Sequence, residues 1–293
     1  MQKKIAFLFP GQGNIPGDRF LWTDSGERLF GLAEESGVPL RGLLERGAMD
    51  RLSCTDYAQP VILIDSLIKD ELLRKRDIKP AIAAGHSLGE YAALTSAGML
   101  AAEDALSLVI ERGRLMSKVA GGMTAIVRLS IAQVQRLCDR VGPGVVVANH
   151  NGPLQVVISG EKGAVDEVGR LAQNEGGRVI PLPVSGPFHS PLMGNAQKRL
   201  AVSIAGLRFH PCRIPVISGV SGTLETDPAR MRQLLFGQIT ACVRWVDVVT
   251  GLEKAGVSHA VEVGPGDVLV GLGRRISKNL RFLRFEEAYD GGI

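Results

Sequence analysis

The sequence predicts an α/β fold in which helices flank a parallel sheet and a small unit is inserted into the larger one. Strand patterns alternate with helical patterns along most of the 293 residues, which indicates parallel strands joined by crossover helices. Between about Gly121 and Ser185 the order changes to βαββαβ, the ferredoxin-like arrangement. A chain of this length can bury a substantial core.

The first elements fit a parallel sheet. Residues 4–9, "KIAFLF", form an apolar run that ends at Pro-Gly, as expected of a buried strand. Residues 59–76 carry apolar side chains at helical spacing after a proline, so we expect a helix to start there. The apolar run "IKPAIAAGH" predicts the next strand, and another helix is expected from about Ala101 to Lys118.

The inserted unit is expected to contain four strands and two helices. The strand patterns are "MTAIVRL", "VGPGVVVANH", "LQVVISG" and "GRVIPLPV", and the helical ones are "IAQVQRLCDRV" and "EKGAVDEVGRLAQNEG". The predicted small domain therefore covers residues 121–186, and the large domain covers residues 1–120 and 187–293. Beyond it, "RIPVISG" and "HAVEVGPGDVLVGL" resemble further strands.

Composition excludes several classes of function. Hydrophobic residues at 45% and charged residues at 22% are ordinary for a soluble globular protein. The net charge of +4 is spread along the chain, so nucleic-acid binding is not indicated, although a basic excess suits docking of an acidic partner. No uncharged apolar stretch reaches about 18 residues, so we expect no membrane span and a cytoplasmic location. The four cysteines show no metal-like spacing with the histidines, and no metal site is expected.

The stretch "GHSLGEY" at 85–91 places Ser87 between two glycines, after a strand pattern and before a helical one. G-x-S-x-G at such a junction is typical of a nucleophile elbow, in which a sharp turn exposes the serine hydroxyl. The same pattern also fits an ordinary strand-to-helix turn. Ser87 is therefore a candidate nucleophile, and both interpretations stay open at this point.

A serine nucleophile needs a base, and histidine is the usual one at neutral pH. His189 lies in "VSGPFHSPLM", a loop bounded by Gly and Pro where the small domain rejoins the large one, and clefts between domains are common active-site positions. His86 adjoins Ser87, but neighbours on a tight turn tend to point in different directions. No Asp between Ser87 and His189 follows a strand, so a carbonyl is an alternative partner for the histidine N–H.

Eight stretches, in order over nearly the whole chain, resemble the malonyl-CoA:acyl carrier protein transacylase family. They are "FPGQG" at 9–13, "AQP" at 58–60, "GHSLGEY" at 85–91, "RGRLM" at 112–116, "NHNGPLQVVISG" at 149–160, "PFHSPLM" at 187–193, "VRW" at 243–245 and "EVGPGDVL" at 262–269. The resemblance implies an α/β-hydrolase-like large domain with a ferredoxin-like small domain.

The resemblance also implies roles for individual residues. Ser87 matches the nucleophile that accepts malonyl from CoA and passes it to the phosphopantetheine thiol of the carrier protein, and His189 matches its base. Gln12 matches the residue whose backbone N–H joins that of Leu88 in an oxyanion hole. Gln238 matches the position whose carbonyl orients the histidine.

Arg112 matches the arginine that binds the free carboxylate of malonyl, for which a guanidinium offers a planar fork of donors. Phe188 fits the variants that take malonyl, because its ring would crowd the α-methyl group of a branched substrate. Three departures from the family pattern suggest a specialised relative: residues 14–20 differ from the usual entrance loop, Arg128 replaces a frequent glycine and Cys242 a frequent proline.

We therefore expect a stand-alone, monomeric acyltransferase with malonyl-CoA and an acyl carrier protein as partners and with no metal or redox cofactor. It would serve fatty acid or polyketide biosynthesis. An alternative is an acyl hydrolase that clears stalled acyl groups from carrier proteins. A second alternative is an inactive module that docks carrier proteins.

Overall fold

The computed structural model describes residues 3–16, 20–184 and 186–293, so part of the 14–20 loop lies outside the described residues. The strands of the described residues are β1 Ile5–Phe9, β2 Ile82–Gly85, β3 Gly122–Val127, β4 Val145–Gly152, β5 Gln155–Gly160, β6 Arg178–Pro181, β7 Val216–Ile217, β8 Leu224–Glu225, β9 His259–Glu262 and β10 Arg281–Arg284. The helices are α1 Asp24–Glu35, α2 Leu40–Glu45, α3 Met49–Leu52, α4 Thr55–Lys75, α5 Gly89–Ser96, α6 Ala102–Met116, α7 Ile131–Val141, α8 Lys162–Asn174, α9 Gly194–Gly206, α10 Pro228–Gly237, α11 Trp245–Lys254, α12 Val268–Ile276 and α13 Phe285–Glu287. A 3-10 turn, Pro191–Met193, precedes α9, and a wider turn, Ala288–Gly292, follows α13.

The main sheet has the strand order β10-β9-β1-β2-β7-β8, and its neighbours are parallel except for β7 and β8. Both faces of β1 are covered. Phe7 and Phe9 pack among residues of α1, α4, α5 and α6, whereas Ala6 and Leu8 pack among residues of α11 and α12. The continuous apolar run of β1 is what a strand buried on both faces requires. The predicted α/β fold with a parallel sheet is confirmed.

A second, four-stranded antiparallel sheet has the order β4-β5-β3-β6. Along the chain its elements follow one another as β3, α7, β4, β5, α8 and β6. Apolar residues of α7 and α8, among them Val134, Leu137, Val165 and Val168, form a separate small core with one face of this sheet. The order βαββαβ in the sequence therefore corresponds to one compact layer of helices on a sheet.

Helix α4 begins earlier than the sequence pattern predicted. It starts at Thr55, so Pro60 lies inside the helix and not at its first turn. A proline has no N–H and therefore leaves one carbonyl of the preceding turn without its helical donor. The prediction of a helix in this region is right, but its start is wrong by four residues.

The segment "HAVEVGPGDVLVGL" contains only one strand, β9, and its second half is helix α12. The prediction of a strand is right for the first half of the segment and wrong for the second half. A short apolar run does not distinguish a buried strand from a buried helix. Here the buried carboxylate of Glu262 accepts a hydrogen bond of 2.8 Å from the N–H of Val270, which fixes the first turn of the helix.

The two sheets meet beside the segment that leads into α11. The N–H of Val243 donates to the carbonyl of Ala148 at 2.9 Å, and the N–H of His150 donates to the carbonyl of Val243 at 2.8 Å. These bonds attach β4 to the main unit and leave a cleft between the two sheets. Across the described residues, no helix is long and apolar enough to span a membrane.

Candidate active site

The turn between β2 and α5 carries Ser87. Its two glycines have no room for a side chain: a Cβ atom on Gly85 would lie 2.0 Å from the carbonyl carbon of Gly89, and one on Gly89 would lie 2.0 Å from the carbonyl oxygen of Phe9. Ser87 itself has a φ of +53°, a left-handed conformation that is strained for a residue other than glycine. The predicted strand, turn and helix are therefore present, and the turn is as sharp as a nucleophile elbow.

His189 lies opposite this turn, with its Nε2 atom 2.7 Å from the Oγ atom of Ser87. Its Nδ1 atom lies 3.0 Å from the carbonyl oxygen of Gln238 and 2.9 Å from that of Ala241. Carbonyls only accept hydrogen bonds, so the proton is on Nδ1 and Nε2 is left as the acceptor for the serine hydroxyl. The ring is thus oriented by two backbone carbonyls, a role that sequence reasoning had given to Gln238 alone.

The electrostatic environment keeps His189 neutral. Burial, followed by the positive charge of Arg112 and by His86, lowers the pKa of His189 from 6.5 to about 3. A neutral imidazole with a free Nε2 lone pair can accept a proton from Ser87 at any pH well above that value.

Arg112, on α6, is 1% exposed and reaches the nucleophile from inside the protein. Its Nη2 atom donates to Ser87 Oγ at 2.9 Å and to the Oε1 atom of Gln238 at 3.3 Å, and its Nη1 atom donates to the Oε1 atom of Gln59 at 2.8 Å. Within the described residues no carboxylate lies within ion-pair distance of Arg112, and its Nε atom has no partner. The site therefore contains a buried cation in direct contact with the nucleophile.

Two polar residues of this network were not assigned by sequence reasoning. Gln59 belongs to the "AQP" motif but was given no role, and Glu90, directly after the elbow, was passed over. The carboxylate of Glu90 accepts hydrogen bonds from Gln238 Nε2 at 2.6 Å and from Ser218 Oγ at 2.8 Å. The sequence signal was present, because both are polar residues inside otherwise apolar helical runs.

Gln12 and Leu88 lie beside the nucleophile. Gln12 follows β1 and lines the same cavity as Ser87, with its side-chain Nε2 atom donating to Thr55 at 3.2 Å. Leu88 is the residue after Ser87, and its side chain is buried. In the described part of the chain, the backbone N–H groups of Gln12 and Leu88 have no protein acceptor. They are thus free to donate to a bound oxygen atom.

The cavity over Ser87 has a volume of about 240 Å³ and lies between the two sheets. Phe188 is buried and lines it, as do Met123, Asn149 and Val157 of the small sheet. His86 points away from the nucleophile, because its Nε2 atom pairs with Asn151 Oδ1 at 2.8 Å and so links the main sheet to the small one. Among the described residues, no three His, Cys, Asp or Glu side chains are arranged to hold a metal ion.

Comparison with known proteins identifies the family of this chain. Residues 27–279 match the acyl transferase domain family. The malonyl CoA-acyl carrier protein transacylase of Bacillus subtilis (strain 168) is 37% identical over 291 residues, which cover 95% of this chain and 92% of that protein. The corresponding protein of Salmonella typhimurium is 38% identical over 290 residues, which cover 94% of each chain.

Solved structures of related proteins have the same fold as this chain. The crystal structure of malonyl-CoA:acyl carrier protein transacylase from Xanthomonas oryzae superposes with a TM-score of 0.93 at 35% identity, covering 99% of this chain and 98% of that one. A malonyl-transacylase solved in complex with a type II polyketide synthase acyl-carrier protein superposes with a TM-score of 0.92 at 33% identity, covering 98% of this chain and 99% of that one.

The lowered pKa of His189 predicts how the reactivity of Ser87 depends on pH. Protonation removes the base as the pH falls, and a pKa lowered to about 3 moves this loss well below pH 5. A histidine with its ordinary pKa would be only about 3% neutral at pH 5. We expect labelling of Ser87 by a sulfonyl fluoride to change by less than about twofold between pH 7 and pH 5, measured as the rate of mass gain. Ser87→Ala is the control and should take up no label; a roughly 25-fold fall centred near pH 6.5 would contradict the prediction.

Proposed function

This chain belongs to the acyl transferase domain family, and on that basis we propose that it transfers malonyl from malonyl-CoA to the phosphopantetheine thiol of an acyl carrier protein. The observation that carries the proposal is the contact of 2.9 Å between the buried guanidinium of Arg112 and Ser87 Oγ. A cation beside the nucleophile selects an acyl group that ends in a carboxylate. The proteins named above, which share over 30% identity with nearly all of this chain, support it.

In the first half-reaction, Ser87 Oγ attacks the thioester carbonyl of malonyl-CoA while His189 Nε2 takes the hydroxyl proton. The N–H groups of Gln12 and Leu88 donate to the oxyanion, and two such donors typically contribute about 100- to 1000-fold each to the rate. The C–S bond then breaks, and the CoA thiolate takes the proton from His189. The product is a malonyl ester of Ser87.

In the second half-reaction, His189 accepts the proton of the phosphopantetheine thiol, and the sulfur attacks the ester carbonyl. The C–O bond to Ser87 breaks, and the serine oxygen recovers the proton from His189. No electrons are transferred to an acceptor and no water enters, so the proposed chemistry requires no metal or redox cofactor. One chain supplies every group in it, which is consistent with a monomer.

Arg112 and Phe188 determine the acyl group in this proposal. The carboxylate of malonyl pairs with the Arg112 guanidinium, whose Nη2 atom faces Ser87 Oγ. Phe188 is buried in the wall of the cavity and limits the room beside the α-carbon of the substrate. One related structure contains a type II polyketide synthase acyl-carrier protein, and we propose that this chain serves either fatty acid or polyketide biosynthesis.

The fold is assigned on the same basis. We propose an α/β-hydrolase-like domain from residues 1–120 and 187–293 and a ferredoxin-like domain from residues 121–186. The support for the second assignment is the antiparallel sheet in which the second, third, first and fourth strands of the insertion are neighbours. We also propose a cytoplasmic location for the protein, since carrier-protein acylation uses CoA thioesters.

The carrier protein is proposed to dock in a basic groove next to the active site. The groove has a volume of about 600 Å³ and is lined by Arg128, Arg178 and Arg275, and Gln155 lines both this groove and the cavity over Ser87. Within the described residues none of these arginines has a carboxylate within ion-pair distance. Arg274, the neighbour of Arg275 in the sequence, donates instead to the carbonyl of Phe282 at 3.0 Å.

The apolar residues of the groove favour a protein partner over a small anion. Leu154 and Ile180, which also line it, are 54% and 38% exposed, and apolar contacts with a partner would cover them. Arg128 has a φ of +76°, a conformation in which glycine is strongly preferred. The strain of placing an arginine there is consistent with a functional role for its charge.

The proposed function predicts a covalent intermediate. Incubation with malonyl-CoA should add one malonyl group per chain, located on Ser87 by peptide mass spectrometry, and Ser87→Ala should gain no mass because its side chain has no nucleophile. The other functions give different results. A malonyl ester that hydrolyses rapidly without a carrier would support the acyl hydrolase, and a wild-type protein that never gains mass would support the inactive docking module.

A second prediction concerns substrate selection. Arg112→Ala should lower kcat/KM for malonyl-CoA by roughly 30- to 5000-fold, because the substrate carboxylate loses its partner in a partly desolvated pocket. The loss for acetyl-CoA should be much smaller, since acetyl has no carboxylate. Arg112→Lys should restore only part of the malonyl activity, because an ammonium lacks the planar fork. Equal losses for the two substrates would mean that Arg112 is structural.

A third prediction tests the groove. Arg178→Glu should raise KM for the carrier protein while leaving formation of the malonyl ester unchanged, and the effect should shrink with added salt because exposed charges are screened over about 8 Å at physiological ionic strength. The matched control is Arg230→Glu, which makes the same charge change at an exposed position on α10. Equal slowing of the malonyl-CoA step would assign the groove to CoA phosphates instead.

A further inference from the structure

Glu90 is a buried acid that no step of the proposed reaction uses. It lies in the first turn of α5, three residues after the nucleophile, and is 1% exposed. Its Oε2 atom accepts from Gln238 Nε2 at 2.6 Å, and its Oε1 atom accepts from Ser218 Oγ at 2.8 Å and from the N–H of Gly219 at 3.2 Å. Three donors converge on this side chain, and a carboxylate is the form that accepts from all of them.

The contact with Gln238 fixes which way its side-chain amide points. The Nε2 end donates to Glu90 and to the carbonyl of Ser87, the latter at 2.8 Å, and the Oε1 end accepts from Arg112. If the amide were reversed, its oxygen would face two other acceptors and its NH2 group would face the guanidinium. The carboxylate of Glu90 therefore keeps the Oε1 atom of Gln238, which is a hydrogen-bond acceptor, turned toward Arg112.

The same arrangement leaves the Arg112 guanidinium available to pair with the carboxylate of a substrate. Burying an isolated cation is costly, and a nearby negative charge reduces that cost. Burial raises the pKa of Glu90, and its three donors and the charge of Arg112 act against that rise. As a carboxylate Glu90 supplies this negative charge, yet the amide of Gln238 separates it from the guanidinium, and no direct ion pair forms. A carboxylate in direct contact with Arg112 would compete with the carboxylate of the substrate.

We propose that Glu90 is a positioning residue for substrate selection, which holds the Gln238 amide and the Arg112 guanidinium in the arrangement that receives the substrate carboxylate. This inference rests on the proposed malonyl transfer. It extends the site to a residue that touches neither the substrate nor the reacting atoms.

The test is Glu90→Gln, a substitution of nearly equal size that introduces an NH2 group among donors. We expect kcat/KM for formation of the malonyl ester to fall by roughly 10- to 100-fold, because hydrogen bonds to a buried charge are lost. Formation of the acetyl ester should fall by less than about threefold, because it does not use the Arg112 pair. The malonyl-to-acetyl ratio is the readout that a general structural defect would not change.

Two controls make the result decisive. Labelling of Ser87 by a sulfonyl fluoride reports whether the variant retains an intact Ser87–His189 pair, and if Glu90→Gln does not fold, the ratio is measured in Glu90→Asp, which keeps the charge but shortens the side chain. An unchanged ratio in the variant that folds would overturn the inference. If the wild-type protein itself forms no malonyl ester, the proposed function has failed, which is a separate outcome.

Discussion

The close packing of the β2–α5 turn against the end of β1 is the constraint on which the site depends. The N–H of His86 donates to the carbonyl of Phe9 at 2.9 Å, and Gly89 faces the same carbonyl with no space for a Cβ atom. Because β1 and β2 are parallel neighbours, their carboxyl ends lie at one edge of the sheet. The loop after β1, which carries Gln12, and the turn that carries Ser87 are therefore held side by side.

The burial of Arg112 follows from this geometry. The guanidinium reaches Ser87 from α6, beneath the turn, where no solvent is available to satisfy its donors. The side-chain oxygens of Gln59 and Gln238 accept hydrogen bonds from the guanidinium, and Glu90 balances its charge from a distance. Burying such a cation without a carboxylate partner is costly, and pairing with a carboxylate offsets that cost. In the proposed function, this incompletely satisfied buried charge is what selects the substrate.

Sequence patterns predicted the parallel sheet, the inserted unit and the elbow, because each depends on local periodicity or on glycines at fixed spacing. The partners of Ser87 are different. His189 is separated from it by 102 residues, and only its loop and the family resemblance singled it out. Glu90 stands out in the sequence as a polar residue in an apolar helix, but its role does not, because that role exists only once the end of α10 brings Gln238 against α5. Helix α12 was misread as a strand, since the carboxylate that fixes its first turn lies on a different element.

In the proposed function, the proximity of Arg112 to His189 also links substrate binding to catalysis. The positive charge of Arg112 is the second cause, after burial, of the low pKa of His189. When the carboxylate of a substrate pairs with Arg112, much of that charge is neutralised, and the proton affinity of Nε2 rises. The histidine becomes a stronger base at the moment when an acyl group of the right kind lies over Ser87. An acyl group without a carboxylate leaves the cation unneutralised and the base weak, so one guanidinium discriminates twice, in binding and in activation of the nucleophile.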